Sequence, residues 1–278
     1  MSLSVNTNTG AMIALQNLNA TSRNLDEVQN RINTGLKVAS AKDNSSVYAI
    51  AQNARGDVGA LNAVKQSVSR ASSIVDVSLS AGETISNLLV EMKEKAVAAN
   101  DPSIDTFSRN ALNEDFQSLL GQIQTIVKNA TFDGANLLDG SLVSGLQVLA
   151  DSNATNAITV LGESLSAGGA ILTLTANADL LSATSASVSL TNLDTSLQNV
   201  NAALARLGSA SKKLEQHSIF IGKLQDSLTS AIGNMVDADL ATESASLQAL
   251  QVKQQLGVQA LSIANSAPQL VLSLFGGR

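Results

Sequence analysis

The sequence predicts a mainly α-helical protein: a long, coiled-coil-like helical hairpin or bundle formed by the N- and C-terminal segments, with a small β-rich insertion in the middle. Three observations carry this expectation. Apolar residues recur at 4-3 spacing through both halves of the chain. Two prolines, Pro102 and Pro268, leave long tracts without a helix breaker. Between about residues 141 and 188 the composition turns to Gly, Ser, Thr and Ala, and the alternating fragments AITVL, ILTLTA and SVSLT favour short strands.

Taken in order, a 4-3 register begins at Ala11 and runs through Leu15, Leu18, Ser22, Leu25, Gln29, Ile32 and Leu36. Gly35 is a stop signal, GLKVASAKDNSS reads as a linker, and Asp43 or Asn44 can cap the next helix. A second tract, from about Ser45 to Asn100, has a seam reading Ala54, Val58, Leu61, Val68, Val75, Leu79, Ile85, Leu89, Met92, Ala96 and Ala99, with Lys65, Ser72 and Gly82 between. Asp101-Pro102 has the form of an N-cap followed by proline at the first helical position. The helix it would start carries Leu112, Phe116, Leu119, Ile123 and Ile126. In TFDGANLLDG the dipeptides Asp133-Gly134 and Asp139-Gly140 are hairpin-turn signals.

The longest register comes after the insertion. Leu193, Leu197, Val200, Leu204, Leu207, Ser211, Leu214, Ser218, Ile221, Gln225, Leu228, Ile232 and Met235 lie on one unbroken 4-3 pattern, interrupted at the seam only by polar Ser211, Ser218 and Gln225. VDADLATES then reads as a break with recapping, Asp237 or Asp239 starting a last helix with Glu243 close behind.

The two ends of the chain are unusual. Leu256–Phe275, LGVQALSIANSAPQLVLSLF, holds no charged residue and is apolar all round, and no charge precedes Arg23 at the other end. A helix apolar on every side must be buried, whereas chain ends are ordinarily the most polar and least ordered parts. These ends are therefore expected to be completed by further copies of the chain. A membrane explains them less well. Asn, Gln, Ser, Thr and Pro268 dilute both stretches, and the first lacks the basic n-region and compact apolar core of a cleavable secretory signal.

Composition narrows the function. Hydrophobic residues make up 44 % but aromatics only 2 %, so the apolar content is the Ala, Leu, Val and Ile of helix seams rather than the lining of ligand pockets. A net charge of −6 disfavours nucleic acid as a partner. The absence of Cys removes disulfides, thiolate metal sites and Cys nucleophiles. His217 is the one histidine, without the second His or Cys that a metal or catalytic constellation needs, and it reads as a helix-surface residue. Gly168-Gly169 has no following Lys and so forms no phosphate cradle. No enzyme and no cofactor is predicted.

At this point three segments resemble bacterial flagellin. SVNTNTGAMIALQNLNATSRNLDEVQNRINTGLKVASAKDN, from Ser4, resembles the family's opening helix and its linker, here Thr34-Gly35-Leu36 and Ser40-Ala41-Lys42-Asp43. TFDGANLLDG resembles the turn after the family's third helix, and DADLATESASLQALQVKQQLGVQALSIANSAPQLVLSLF resembles its carboxyl terminus. The likeness covers roughly both outer thirds and fades between Ser141 and Val188.

The resemblance implies a filament subunit whose terminal helices pair and line the inner tube of a helical homopolymer. It also implies export through the flagellum's own channel, without a cleavable signal peptide, to an extracellular filament. The partners it implies are the flagellar export apparatus, an export chaperone and hook-associated proteins. On this reading residues 1–42 and 237–278 form the filament-core domain. Residues 43–140 and 189–236 form a helical bundle with a β-hairpin, and 141–188 a variable surface insertion. Leu15, Leu18, Leu25, Ile32, Leu256, Leu261, Leu270, Leu274 and Phe275 are the expected filament-assembly residues. Leu61, Val68, Leu89, Leu204, Leu214 and Leu228 are the expected bundle seam. The alternative is the flagellin-like protein of the hook–filament junction, which shares the terminal helices; ATE…NSAPQLVLSLF is closer to filament flagellin. Members detected by the animal innate flagellin receptor carry an Arg and a Leu in the helix that here reads LVEMKEKAVAAND. Glu91 and Lys95 stand at the aligned positions, which predicts weak receptor activation.

Overall fold

The computed structural model describes the backbone of residues 7–142 and 144–275 and the side chains through Ser266. In chain order the elements are α1 (Thr9–Thr34), α2 (Ser45–Ala99), α3 (Thr106–Asn129), β1 (Leu146–Leu149), β2 (Ala157–Val160), α4 (Ala183–Val236) and α5 (Leu240–Phe275). The chain divides into two compact units, one of Met1–Gly56 with Ser227–Arg278 and the other of Asp57–Asp226.

Helix boundaries follow local side-chain chemistry. The Asn8 side chain accepts from Ala11 N and starts α1, and Gly35 ends it at φ +70°, the left-handed conformation that glycine takes without a Cβ penalty. Asn44 accepts from Val47 N to cap α2, while Asp43 is occupied by Ala39 N and Ser40 N in the linker. The start of α3 differs from the sequence expectation. Asp105, not Asp101, is its N-cap, accepting from Ser108 N at 2.6 Å. Asp101 instead closes a turn onto Ser103 N at 2.8 Å, with Pro102 outside the helix. Ser182 accepts from Ser185 N to start α4. For α5 the cap is Asp239, accepting from Ala241 N and Thr242 N.

In the unit Asp57–Asp226, α2 and α4 run antiparallel. Gln225 donates to Asn62, Ser211 to Asp76 and Ser86 to Asn201, and Lys93 pairs with Asp194, so positions rise along α2 as they fall along α4. α3 returns alongside α2, tied by Lys95–Asp115 at 2.7 Å and by Arg109 donating to Ala99 O. Its core face is Phe116, Leu120, Ile123 and Val127, so Leu119 and Ile126 are each one residue off the buried line. The same offset recurs elsewhere. On α2 the buried line is Leu61, Val64, Val68, Ala71, Val75, Ser78, Ile85, Leu89, Met92, Ala96 and Ala99. Val64, Ala71 and Ser78 therefore take the places expected for Lys65, Ser72 and Leu79. On α4 Leu193, Val200, Leu207, Leu214 and Ile221 are buried as expected, but Ser196 and Ala203 are buried where Leu197 and Leu204 are only half-buried. A helix that touches more than one neighbour buries a stripe wider than a two-stranded seam, which brings in the adjacent position.

The middle of the chain holds less strand than expected. β1 and β2 pair antiparallel, Leu146 opposite Val160 and Leu149 opposite Ala157. ILTLTA is an extended loop and SVSLT lies within α4. Asp133-Gly134 makes a tight turn with both residues at positive φ, but it closes only a single bridge, Phe132 to Ala135, and Asp139-Gly140 closes no strand pair. Leu165, Leu172, Leu174 and Leu180 are fully buried. Glu163, also buried, receives two hydrogen bonds from Arg206 of α4, each 2.6 Å, which ties the segment after β2 to the helix. His217 is half-buried rather than free on the surface; its Nε2 lies 2.9 Å from Ala150 O and donates to it.

Candidate functional site

The unit containing the chain ends is built on one antiparallel helix pair. Asn8 donates to Ala264 O, Gln254 to the Ser22 hydroxyl and Arg31 to Glu243 at 3.2 Å, so α1 and α5 run alongside each other in opposite directions. At the open end of the pair the chain is pinned by backbone. Lys37 N and Val38 N both donate to Val236 O, and Ala238 N donates to Gly35 O. Gly35 and the break between α4 and α5 therefore form one junction, the position the linker and the recapping signal marked.

The face of α5 that meets α1 is narrow. Glu243, Leu247, Leu250, Gln254, Gly257, Leu261 and Ala264 are half-buried on a 4-3 stripe, with Ser246 beside it. On α1 the corresponding line is Ala11, Ala14, Leu18, Leu25, Val28 and Ile32, with Leu25 and Val28 buried. Gly257 shows why the helices can come close: a β-carbon there would lie 3.2 Å from Leu18 Cδ1.

What is left outside that contact is apolar. On α5, Val252, Leu256 and Ile263 are exposed, Leu256 by 58 % and Ile263 by 70 %. Their spacing of four and seven places them on one helical stripe, on the side away from Leu250, Gly257 and Leu261. Val258 and Leu240 are exposed as well. On α1, Met12, Ile13 and Leu15 are exposed around the helix, Leu15 by 47 %. No charged residue falls between Lys253 and the end of the described side chains at Ser266, nor on α1 before Arg23. An uncharged apolar surface is thus left uncovered in the single chain, and burying apolar area is worth about 25 cal/mol per Å².

The assembly residues expected from sequence thus separate into two sets. Leu18, Leu25, Ile32 and Leu261 lie in the α1–α5 contact. Leu15 and Leu256 are outside it and exposed, so the expectation that Leu15 is a seam residue of the pair is corrected: Ala14 takes that position. The side chains of Leu270, Leu274 and Phe275 lie outside those described. Met12, Ile13, Val252 and Ile263 belong to the exposed set and were missed; the available signal was that α5 carries a second apolar stripe besides the 4-3 seam. Among the described residues no helix is long and apolar enough to cross a membrane, and no three His, Asp or Glu side chains gather as a metal site.

Charged groups near the pair are few and local. Thr242 Oγ and the backbone donors of Thr242 and Ala241 hold the Asp239 carboxyl below the usual carboxylate range. Ser40 N does the same for Asp43 in the linker. The acidic side chain of Glu243 in the first turn of α5 suits the positive end of the helix.

Comparison with known proteins gives this surface a context. Residues 5–142 match the family model for the bacterial flagellin N-terminal helical region, and residues 190–275 match that for the C-terminal helical region. Flagellin FljM of Caulobacter vibrioides is 52 % identical over 98 % of each chain. Flagellin FljJ of the same organism is 50 % identical over the whole of both chains, and a flagellin of Brucella melitensis is 37 % identical over 99 % of each. The relatives span the chain from end to end, including the exposed helix pair. A terminal helix pair without charge over residues 7–22 and 254–266 and with one face of α5 still uncovered, in a chain related over its full length to these proteins, identifies a member of the bacterial flagellin family, a structural subunit of the flagellar filament.

Proposed function

We infer that the uncovered faces of α1 and α5 are the surfaces through which this subunit joins its neighbours in the filament. The observation that carries this is the second apolar stripe of α5, Val252, Leu256 and Ile263, which α1 does not cover. Met12, Ile13 and Leu15 add exposed apolar side chains on α1. A contact between two different faces of identical chains propagates as a helical polymer when its rotation does not close a ring, which is the case for a filament subunit. Leu18, Leu25, Ile32 and Leu261 hold the pair in register so that the outer stripe is presented. Leu270, Leu274 and Phe275 continue the uncharged terminal sequence and are assigned to the same role. Leu61, Val68, Leu89, Leu204, Leu214 and Leu228 serve the bundle that stiffens the subunit.

The flagellin export apparatus, an export chaperone and hook-associated proteins are the remaining partners of this reading, since an assembly surface of this kind must be kept from premature self-association before it reaches the filament end. Recognition by the innate flagellin receptor is weak on the same reading. Glu91 is exposed and Lys95 is engaged by Asp115, and neither presents the residue type found in detected family members.

Seeded polymerisation of the full chain, followed by sedimentation and electron microscopy, tests the function. Long helical filaments are expected. A chain that remains soluble but caps the end of an existing filament or hook would instead be a junction protein.

A further inference from the structure

With no Cys and no Trp, the chain offers its methionines, Met1, Met12, Met92 and Met235, as the side chains most open to mild oxidation. The fold separates them. Met92 is fully buried in the α2 line between Leu89 and Ala96, and Met235 is half-buried in the last turn of α4. Met12 of α1 is 55 % exposed. It is the one exposed methionine among the described residues.

Its surroundings decide what oxidation there would do. Met12 lies about 100° round the helix from Ala11, off the line that faces α5. Ile13 and Leu15 beside it are exposed as well, and no charged residue precedes Arg23. A thioether is apolar and pliable, so it adapts to an apolar partner surface. A sulfoxide is polar, and its oxygen needs a hydrogen-bond donor that an apolar partner does not supply.

We propose that Met12 is an oxidation site that governs assembly: a peroxide converts its thioether to the sulfoxide in the free subunit, and the oxidised subunit stays out of the filament until that sulfoxide is reduced. The sulfur attacks one peroxide oxygen, so that an S–O bond forms as the O–O bond breaks. Sulfur gives up two electrons, and the departing hydroxide takes the remaining proton to become water. The change is reversible, because a pair of methionine sulfoxide reductases, one for each epimer, restores the thioether. Because Met12 lies off the α1–α5 contact, the modification acts on the outer surface and leaves the fold of the chain intact.

The proposal rests on the reading of the exposed faces of α1 and α5 as assembly surfaces. It is tested with full-length monomer treated with hydrogen peroxide, the sulfoxides being located by peptide mass spectrometry. The quantity compared is the critical concentration of the treated chain divided by that of the same chain untreated. This ratio is expected to be about tenfold or more for the parent and for Met235→Leu, since a polar group is buried without a partner, and close to one for Met12→Leu. The oxidised parent should keep its helix content and polymerise as before once both reductases have acted. A parent that carries the Met12 sulfoxide and still polymerises like the untreated chain would overturn the proposal and leave the filament function standing. A ratio for Met12→Leu as large as the parent's, or a loss of helix content in the oxidised parent, would move the effect away from this surface. An untreated parent that forms no filaments would sink the underlying reading and this proposal with it. A further measurement needs no variant: Met12 should oxidise about tenfold more slowly in preformed parent filaments than in monomer, because contact excludes the peroxide from a buried thioether. Equal rates in the two states would show that Met12 is not covered on assembly, and would remove it as the control point.

Discussion

Leu18 of α1 packs directly onto the backbone of α5 at Gly257, where an added β-carbon would meet Leu18 Cδ1 at 3.2 Å and its Cβ at 3.8 Å. This contact sets how near the two terminal helices can lie. Gly257→Ala gains helix propensity of about 0.5–1 kcal/mol, and a leucine methyl can yield a few tenths of an ångström. The net effect of that substitution is expected to be close to zero. Gly257→Leu has no such room and is expected to part the helices, lowering both helix content in the monomer and filament yield. Circular dichroism and sedimentation of the two variants check this. Equal behaviour of Ala and Leu at position 257 would show that the approach is not close.

The bundle has a comparable point at Gly82 of α2, where a β-carbon would fall 2.6 Å from Leu204 Cδ2 of α4. Overpacking of this kind costs about 1–3 kcal/mol, more than the helix-propensity gain. Gly82→Ala is therefore expected to destabilise the parent chain, whereas in a Leu204→Ala background the same change should be stabilising. Denaturant unfolding of the four chains gives the coupling directly. Additive effects would mean that Leu204 swings aside at no cost.

Acid weakens the helix starts. The folded pKa of Asp239 is lowered by its bonds from Thr242 and Ala241, and that of Asp105 by Ser108 N. The sign follows: a lowered carboxylate pKa gives stabilisation that is complete above the unfolded value of about 3.9 and is lost as pH falls through the folded value. Thermal midpoints are expected to drop as pH falls below about 4. Asn also caps helices but does not titrate in this range, so a double Asp239→Asn, Asp105→Asn chain should show a shallower acid slope. Identical slopes for parent and variant would assign the acid loss to other groups.

Substitution in α2 is expected to raise receptor activation. The purified monomer is expected to stimulate receptor-bearing cells weakly, and Glu91→Arg with Lys95→Leu is expected to increase the response. Strong stimulation by the unsubstituted monomer contradicts this expectation.

Much of this architecture was legible in the sequence because it depends on local signals. Gly35, Asn44 and Asp239 mark boundaries through backbone conformation and capping, which a few residues determine. The registers were half legible. Leu18, Leu25, Val68, Leu89, Leu193 and Leu214 fall where a 4-3 count puts them, but the intervening position slipped by one at Leu15, Leu79, Leu119 and Leu197. A count along one helix cannot say how many neighbours that helix has, and the number of neighbours decides which flank of the stripe is buried. ILTLTA shows another limit. Its alternation does predict burial, since Leu172 and Leu174 are buried and Thr173 is not. Its backbone, however, bonds to a helix rather than a strand, Thr173 N donating to the Ser196 hydroxyl. The second stripe of α5 was legible only as an all-round apolar terminus, because which of its residues stay exposed depends on what the fold leaves uncovered.

The central claim is that α5 uses one face to hold its own chain together and another to hold the filament together. Measuring the critical concentration of a Val252→Ser, Leu256→Ser, Ile263→Ser chain, alongside the helix content of its monomer, tests this most directly. The account predicts a monomer with unchanged helix content that fails to polymerise at concentrations where the parent does. Leu25→Ala, by contrast, removes a buried side chain of the pair and should lower monomer stability, by about 2–5 kcal/mol where the site cannot collapse. A triple variant that polymerised like the parent would contradict the account, because the exposed stripe would then face nothing.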